Sequence, residues 1–135
     1  MHNKKLIEEF YERVWNNRDV EYIPNLFVER CTFKGSIGKE TRGYKGIEEY
    51  VVLITNALGN YRCKIQQVIS ENNKAYAKVE FSGIHKGELM GYTPSGKKLT
   101  WLGAAEFQFE EGKISSVWVL GDVFGLVQQL NANNT

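Results

Sequence analysis

The chain has 135 residues, a length that suits one domain over residues 1–135. Its 17 basic and 16 acidic residues give a formal net charge of +1, which leaves no global field to attract nucleic acid or an anionic membrane. With 42% hydrophobic and 13% aromatic residues the chain can build a core, so we expect a globular protein rather than a disordered one.

Helices are predicted in the first part of the chain. Apolar residues recur at helical spacing over residues 3–17, which predicts an amphipathic first helix. Asp19 is a suitable N-cap for a short second helix that reaches Phe27. A short strand at residues 30–34 and a glycine-rich loop then precede a third helix over residues 44–58.

Strands dominate the second part. Residues 61–69, 75–90, 98–110 and 113–121 alternate or are rich in β-formers, and turn-forming residues separate them. A last helix is predicted over residues 123–130. Helices followed by a meander of long antiparallel strands and one more helix indicate an α+β fold, in which a curved sheet wraps around the helices.

The cysteines and the first residues bear on where the protein works. Cys31 and Cys63 form neither a disulfide framework nor a metal-binding spacing, so buried free thiols are expected, although one disulfide is arithmetically possible. No secretory signal opens the chain, and no apolar run approaches the length of a membrane span. We therefore expect a cytoplasmic protein.

Strand alternation places His85 on an apolar face. Because His2 stands at the chain start, His85 is the histidine expected inside the fold. Its strand has one face made up of Ala77, Val79, Phe81, Gly83 and His85. A core histidine satisfied by one hydrogen bond is the simpler interpretation, and a histidine at a functional pocket is the alternative.

The same alternation is applied to the last two strands. Gly103 and Ala105 lie between the inward residues Trp101 and Phe107, which indicates either strand curvature or room for a ligand. In the last strand the predicted inward face is Ile114, Ser116, Trp118, Leu120 and Asp122. The outward set is unusually apolar and predicts a homodimer formed through the sheet: Leu102, Ala104, Val117 and Val119.

Asp122 has two interpretations that the residues alone leave open. As the N-cap of the last helix, its carboxylate would accept backbone N–H bonds, which lowers a carboxyl pKa. At the wall of an apolar cavity, desolvation would instead raise the pKa toward the range useful for general acid/base catalysis.

The second half of the chain contains an ordered series of motifs: Gly83-Ile84-His85-Lys86-Gly87, Thr93-Pro94-Ser95-Gly96-Lys97, Glu111-Gly112-Lys113-Ile114, Trp118 followed by Asp122, and Gly125-Leu126-Val127-Gln128-Gln129-Leu130. Together these motifs resemble the SnoaL-like polyketide cyclase (ester cyclase) family of the NTF2-like superfamily. The resemblance implies a cone-shaped α+β barrel, with the N-terminal helices packed in a strongly curved antiparallel sheet and a short C-terminal helix. An apolar pocket lies inside this fold.

The resemblance also implies a chemistry. Asp122 matches the acid/base aspartate of the family's cyclases, and His85 matches a histidine that assists it. The reaction would be an intramolecular aldol cyclisation of a polyketide-like ester without a cofactor or a metal. The expected pocket residues are Phe33, Trp101, Trp118, Met90, Tyr11, Trp15 and Phe107, although plain core packing is the simpler interpretation of Tyr11, Trp15 and Phe107.

Two alternatives remain at this stage. A ketosteroid-isomerase-like proton shuttle would need a carboxylate base together with a donor such as a tyrosine or a protonated aspartate, and no second inward carboxylate is evident. A non-catalytic NTF2-like module would hold a small hydrophobic ligand in the same pocket.

Overall fold

The computed structural model describes residues 2–134 and places helices at both ends of the chain. The helical elements are α1 (His2–Glu9), a π-helix (Phe10–Asn16), a 3-10 turn (Val20–Tyr22), α2 (Ile23–Leu26), α3 (Gly43–Ala57) and α4 (Val123–Asn133). None of the helices in this part of the chain is long and apolar enough to cross a membrane.

The strands form one curved sheet that does not close on itself. They are β1 (Phe27–Lys34), β2 (Thr41–Arg42), β3 (Leu58–Glu71), β4 (Lys74–His85), β5 (Lys98–Glu110) and β6 (Lys113–Gly121). Their order is β2-β1-β6-β5-β4-β3, and β1 pairs parallel to β6 while the other neighbours are antiparallel. The predicted α+β architecture is confirmed.

The predicted first helix changes type halfway. It is α-helical to Glu9 and continues as a π-helix, a form that is rare at this length and often occurs at functional sites. The π-helix ends against β3, where the Asn16 side chain accepts from the Cys63 N–H (2.8 Å) and donates to the Cys63 carbonyl (3.0 Å). Arg18 also donates to the Tyr61 carbonyl (3.0 Å), so this end of the helix covers the outer edge of the sheet.

Some helix and strand boundaries differ from the predicted ones. Phe27 was expected on the second helix, but it begins β1 and its side chain is fully buried. The strand predicted to reach Met90 ends at His85, because Lys86 and Gly87 both donate N–H bonds to the Ala57 carbonyl (2.9 and 3.0 Å) and turn the chain toward the end of α3.

Strand β6 contains a bulge that the alternation did not predict. Gln108 of β5 lies opposite Ser116, whereas the next residue, Phe109, lies opposite Ile114. Ser115 is therefore an extra residue in β6. A β-bulge of this kind shifts the inside/outside alternation of every residue that follows it.

The bulge overturns the face prediction for β6. Val117 and Val119, predicted to point outward, are buried. Trp118 and Leu120, predicted to point inward, are 42% and 61% exposed on the outer face. The inward set derived from strict alternation is wrong from Ser116 onward.

Helix α4 covers the part of β5 that β6 does not reach. Pairing between β5 and β6 stops at Gly103 and Gly121. Beyond this point the side-chain amide of Gln129 accepts from the Thr100 N–H (3.0 Å) and donates to the Thr100 carbonyl (2.7 Å). Gln129 therefore forms the two main-chain hydrogen bonds of Thr100 that a neighbouring strand would otherwise form.

Buried apolar side chains from every long element form one cluster inside the curve of the sheet. Cys31 and Cys63 belong to it as free, buried thiols, as expected from the sequence. The core is therefore continuous from α1 to α4, and the inner faces of the strands converge on the space described next.

Candidate ligand-binding site

A small chamber lies inside the curve of the sheet, between the π-helix, α3 and the inner faces of the strands. We call it the aromatic chamber. Its lining is mostly aromatic and comprises Phe10, Tyr11, Trp15, Phe33, Gly35, Ser36, Tyr50, Tyr61, Phe81 and Val119. None of these side chains carries a carboxylate or an amine, so the walls are of the kind that holds a hydrophobic ligand.

Contacts between the rings hold the chamber walls in place. Trp15 meets Tyr50 edge-on at 5.8 Å between centroids, and Phe33 meets Tyr50 at 5.3 Å. Tyr61 and Phe81 are nearly parallel at 6.4 Å. Because aromatic pairs contribute about 0.5–1.5 kcal/mol each beyond their buried area, the rings stabilise one another as a set.

The chamber is almost filled by its own side chains. Its volume of about 10 Å³ gives room for about one water molecule. The Tyr50 ring lies directly on the loop after β1, where a Cβ at Gly35 or Gly38 would come within 2.1 or 2.8 Å of the ring. Tyr50 thus closes the chamber against residues that have no side chain, and a larger ligand has to displace this ring.

Tyr11 lines the chamber and has an unsatisfied hydroxyl. The residue is 3% exposed, and its Oη has no hydrogen-bond partner within residues 2–134. Burial, followed by the proximity of Cys63 and Tyr50, raises the pKa of the Tyr11 phenol well above 10. The group is therefore a neutral donor throughout the physiological pH range.

Two other polar groups at the chamber have hydrogen-bond partners. The Tyr50 hydroxyl accepts from the Ile37 N–H (3.2 Å), and the Trp101 indole N–H donates to Ser36 Oγ (3.2 Å). Burial also raises the pKa of the Cys63 thiol to about 12, so this thiol is protonated and unreactive at neutral pH. The Tyr11 hydroxyl differs from these groups in having no partner among residues 2–134.

A larger cleft lies on the other side of Tyr11. It has a volume of about 550 Å³ and is lined by Glu8, Tyr11, Glu12, Asn16, Arg62, Cys63, Lys64, Ile65, Glu80, Ser82 and Lys98. The cleft is open to solvent and carries charges of both signs, so it lacks the apolar walls of a site for a hydrophobic molecule. Tyr11 separates it from the aromatic chamber.

His85 is not among the residues that line the chamber. The imidazole is fully buried, its Nδ1 accepts from the Ser95 N–H (3.4 Å), and its Nε2 has no partner in the described part of the chain. Its main chain also bonds to Lys97 and Gly96 (2.9 Å each). His85 therefore anchors the connection between β4 and β5.

Asp122 is the N-cap of α4. Its Oδ1 accepts from the Gly125 N–H (2.9 Å), its own N–H donates to the Leu102 carbonyl (2.8 Å), and its side chain is exposed. No hydrogen bond joins Asp122 to His85 among the described residues. Asp122 does directly follow Gly121, whose backbone lies against Ser36 at the edge of the chamber.

The other predicted pocket residues separate into three positions. Phe33, Tyr11 and Trp15 line the chamber. Trp101 lies at the edge of the chamber, where its indole N–H donates to Ser36. Phe107 is fully buried and packs against the lining residues Phe10 and Tyr11. Trp118 and Met90 lie outside, at 42% and 40% exposure, and the Lys34 ammonium lies 5.4 Å from the Trp118 ring.

Sequence reasoning did not single out the residues that close the chamber. They are Phe10, Ser36, Tyr50, Tyr61, Phe81 and Val119. One signal was available for Tyr50: it is an aromatic residue on the apolar stripe of α3 that follows a loop of glycines. Within residues 2–134, no group of three or more His, Cys, Asp or Glu side chains could hold a metal ion.

The sequence profile of SnoaL-like polyketide cyclases matches residues 5–130 of the chain. No curated protein sequence matches this chain.

Solved structures with the same fold cover nearly the whole chain. TsrD from Streptomyces laurentii is 22% identical with a TM-score of 0.85, over 97% of this chain and 96% of TsrD. A candidate polyketide cyclase from Acidithiobacillus ferrooxidans is 21% identical with a TM-score of 0.86, over 98% and 96%. An epoxide hydrolase of the LEH-like type from M. tuberculosis is 12% identical with a TM-score of 0.75, over 98% and 91%. These likenesses confirm the NTF2-like fold.

Proposed function

Because the chain belongs to the SnoaL-like polyketide cyclase family, we propose that it binds a small, flat, hydrophobic carbonyl compound in the aromatic chamber. The observation that supports this proposal is the chamber itself. Its walls are uncharged and mostly aromatic, and one lining residue, Tyr11, has a buried hydroxyl with no partner among residues 2–134. Walls of stacked and tilted rings suit a flat apolar ligand once the chamber has opened, and a carbonyl oxygen complements a hydroxyl donor.

Binding requires the chamber to open. Tyr50 is half-buried and rests on the glycines of the loop after β1, so an outward rotation of this ring removes one wall without unfolding a strand. The ligand then takes the place of the Tyr50 ring against Phe33 and Trp15, which the ring touches in the unliganded protein.

The proposal is tested by NMR titration of labelled protein with 1-tetralone, a fused bicyclic ketone. We expect shifts and intermolecular NOEs at the rings of Phe10, Phe33 and Tyr50. Shifts confined to the exposed Trp118 on the outer face, or no shifts at all, would refute binding in the chamber.

Cyclase-type acid/base chemistry is a second candidate function. Asp122 would act as the acid/base group with His85 assisting, in an intramolecular aldol reaction of a polyketide-like ester, without a cofactor. The position of Gly121 against Ser36 supports this candidate, because the next residue, Asp122, then lies one step from the chamber edge. The isomerase alternative would need a second, carbonyl-binding donor besides a carboxylate base, and neither it nor the cyclase candidate has a carboxylate among the chamber's lining residues.

The catalytic candidate is tested with Asp122→Asn on a panel of polyketide-like esters. Asparagine retains an oxygen that can cap α4, so the variant isolates proton transfer from helix capping. We expect turnover to fall by about 10²-fold or more if Asp122 transfers the proton. Equal turnover by Asp122→Asn and the wild type would remove Asp122 from this role.

We also propose that the protein is a homodimer formed through the outer face of the sheet. The exposed apolar residues of this face are Leu102, Ala104, Trp118 and Leu120, which we call the outer patch. Lys78 and Glu80 lie opposite Ala104 and Leu102 on the neighbouring strand. Opposite charges beside one apolar surface suit a two-fold contact between identical faces.

Sedimentation velocity tests the dimer. We expect Leu120→Glu to give a monomer, because a carboxylate would be buried in the contact. Leu53→Glu is the matched control, since Leu53 of α3 is also 61% exposed but lies away from the outer patch. A wild-type monomer at high concentration would refute the proposal.

The two buried free thiols support a reducing, cytoplasmic setting for this protein.

A further inference from the structure

We propose that the free edge of β3 is a contact surface for a second copy of this chain, which pairs its own β3 antiparallel to the first. The segment that makes the contact is residues 65–70, which we call the β3 edge. The inference is independent of the ligand proposed above. It also differs from the outer patch, because the β3 edge offers main-chain groups at the end of the sheet and not side chains on its face.

The position of β3 in the sheet is the first reason. β3 is the last strand in the sheet order, and the strand at the other end, β2, has only two residues. The start of β3 is covered on its free side, where Asn16 forms hydrogen bonds with both main-chain groups of Cys63. Among residues 2–134, no hydrogen bond other than those of the pairing with β4 reaches the main chain of residues 65–70. This length of edge is therefore available to another strand.

The composition of the β3 edge is the second reason. Its sequence is Ile-Gln-Gln-Val-Ile-Ser, which contains no charge, no proline and no glycine. Such a segment has a high tendency to pair as a strand. Ile69 is 63% exposed, and Ile65 and Val68 are half-buried. Gln66 forms a bulge, but residues 67–71 are in regular register with β4. The edge thus lacks the lysines and prolines that usually prevent pairing.

The charges at the two ends of the β3 edge favour a second copy as the partner. Lys64 precedes the segment and Glu71 follows it, and both side chains are exposed. Antiparallel pairing about a two-fold axis brings the start of one segment beside the end of the other. Lys64 of each chain then lies beside Glu71 of the second copy, which gives two ion pairs across the contact.

The first helix follows the β3 edge in the opposite direction. Asn3 lies at the end of β3, where its side chain donates to the Asn72 carbonyl (3.0 Å), whereas Asn16 lies at the start of the strand. A groove of about 540 Å³ between α1 and β3 is lined by Lys4, Lys5, Glu8, Val68 and Ser70. The two-fold axis that pairs the strands therefore also places the two first helices antiparallel to each other.

The charges on this helix are complementary in the same arrangement. Lys5 and Glu12 are exposed at opposite ends of the helix, so each Lys5 faces the part of the second copy that holds Glu12. Glu8 lies between them, and its repulsion from Glu8 of the second copy weakens the contact. We therefore expect the β3 edge to join outer-patch dimers into a larger assembly only at high protein concentration.

The experiment is sedimentation velocity over a range of concentrations with Leu120→Glu, which lacks the outer-patch contact. Three variants are made in this background: Lys64→Glu, Lys64→Glu with Glu71→Lys, and Ile69→Lys. Leu53→Lys is the matched control, because Leu53 is 61% exposed and lies on α3, away from the β3 edge. Circular dichroism establishes that each variant is folded.

We expect Leu120→Glu to be a monomer at the concentration of the outer-patch test and to dimerise as the concentration rises, since the pairing of two strands is a weak contact. Lys64→Glu should weaken this dimer by about two- to thirtyfold, the effect of two exposed ion pairs, and the added Glu71→Lys should restore it. Ile69→Lys should abolish the dimer, and Leu53→Lys should leave it unchanged.

Three results would overturn the β3 edge contact and leave the outer patch standing. They are a Leu120→Glu protein that stays monomeric at every concentration, a dimer that Ile69→Lys does not weaken, and a charge exchange that does not restore the dimer. Conversely, if Leu120→Glu associates as strongly as the wild type and Ile69→Lys alone gives a monomer, the β3 edge contact stands and the outer-patch dimer is refuted.

Discussion

Replacing Tyr11 by phenylalanine should stabilise the unliganded protein, which is the opposite of what loss of a hydroxyl usually does. The Tyr11 Oη is buried and unpaired within residues 2–134, whereas the Tyr44 Oη is paired with the Phe27 carbonyl. An unpaired buried polar group costs about 1–3 kcal/mol. Phenylalanine keeps the ring contacts with Phe10 and Phe107, so the variant should gain about 1–2 kcal/mol in the free energy of unfolding.

The assay is urea denaturation at neutral pH, supported by thermal unfolding. For a domain of this size, the gain corresponds to a rise of about 3–8 °C in the melting temperature. Tyr44→Phe breaks a satisfied hydrogen bond and should lose about 1 kcal/mol. A loss of stability in Tyr11→Phe as large as that in Tyr44→Phe would show that the Tyr11 hydroxyl has a partner in the unliganded protein, and the reasoning about this group would fail.

Three further predictions follow from the helix cap, the covered edge of β5 and the buried thiol. Asp122→Ala should lose about 1 kcal/mol of stability through the missing cap while Asp122→Asn loses less, as urea denaturation can measure; equal losses would mean that the cap does not stabilise α4. Gln129→Ala leaves the Thr100 N–H and carbonyl unpaired and should cost about 1–3 kcal/mol in the same assay, whereas Gln128→Ala on the exposed side of α4 should cost less than about 0.5 kcal/mol. The pKa of the Cys63 thiol is raised from 9.0 to about 12. Its contribution to stability is therefore complete below pH 9 and is lost as the pH rises toward 12, at up to about 1 kcal/mol per pH unit; Cys63→Ala should flatten this alkaline slope, and an unchanged slope would contradict the assignment.

Periodicity predicted the order and type of the long elements because each buries one continuous face. The alternation of β4 places its buried residues correctly. The apolar spacing of α3 does so for Ile47, Val51 and Ile54, whereas Leu58, predicted to end this helix, begins β3. His85 was accordingly predicted on the inner face, and it is fully buried. Its Nδ1 accepts from the Ser95 N–H and its own N–H donates to the Lys97 carbonyl, both in a connection whose path the sequence pattern did not reveal.

The bulge in β6 was invisible to the same reasoning. Ser115 and Ser116 are small and polar, so either one fits the inner or the outer face of the sheet. The apolar residues before and after them are therefore compatible with an inside/outside alternation that has an extra residue here and with one that has none. One extra residue then moved Trp118 from the predicted pocket to the outer face. The π-helix was hidden for a similar reason, because Phe10, Tyr11, Val14 and Trp15 satisfy the spacing of an α-helix equally well. The chamber depends on both features, so its lining could be predicted only in part.

The side-chain amide of Gln129 also affects whether another chain can add a strand to the sheet. An unpaired strand segment is a template on which another chain can add a strand. Where β6 has ended, β5 would offer the main chain of Thr100 to such an addition, and Gln129 occupies both of its polar groups. We therefore expect helix α4 to limit strand addition at this segment of β5. A protein truncated before α4 should expose this segment and form aggregates even while most of its core remains folded.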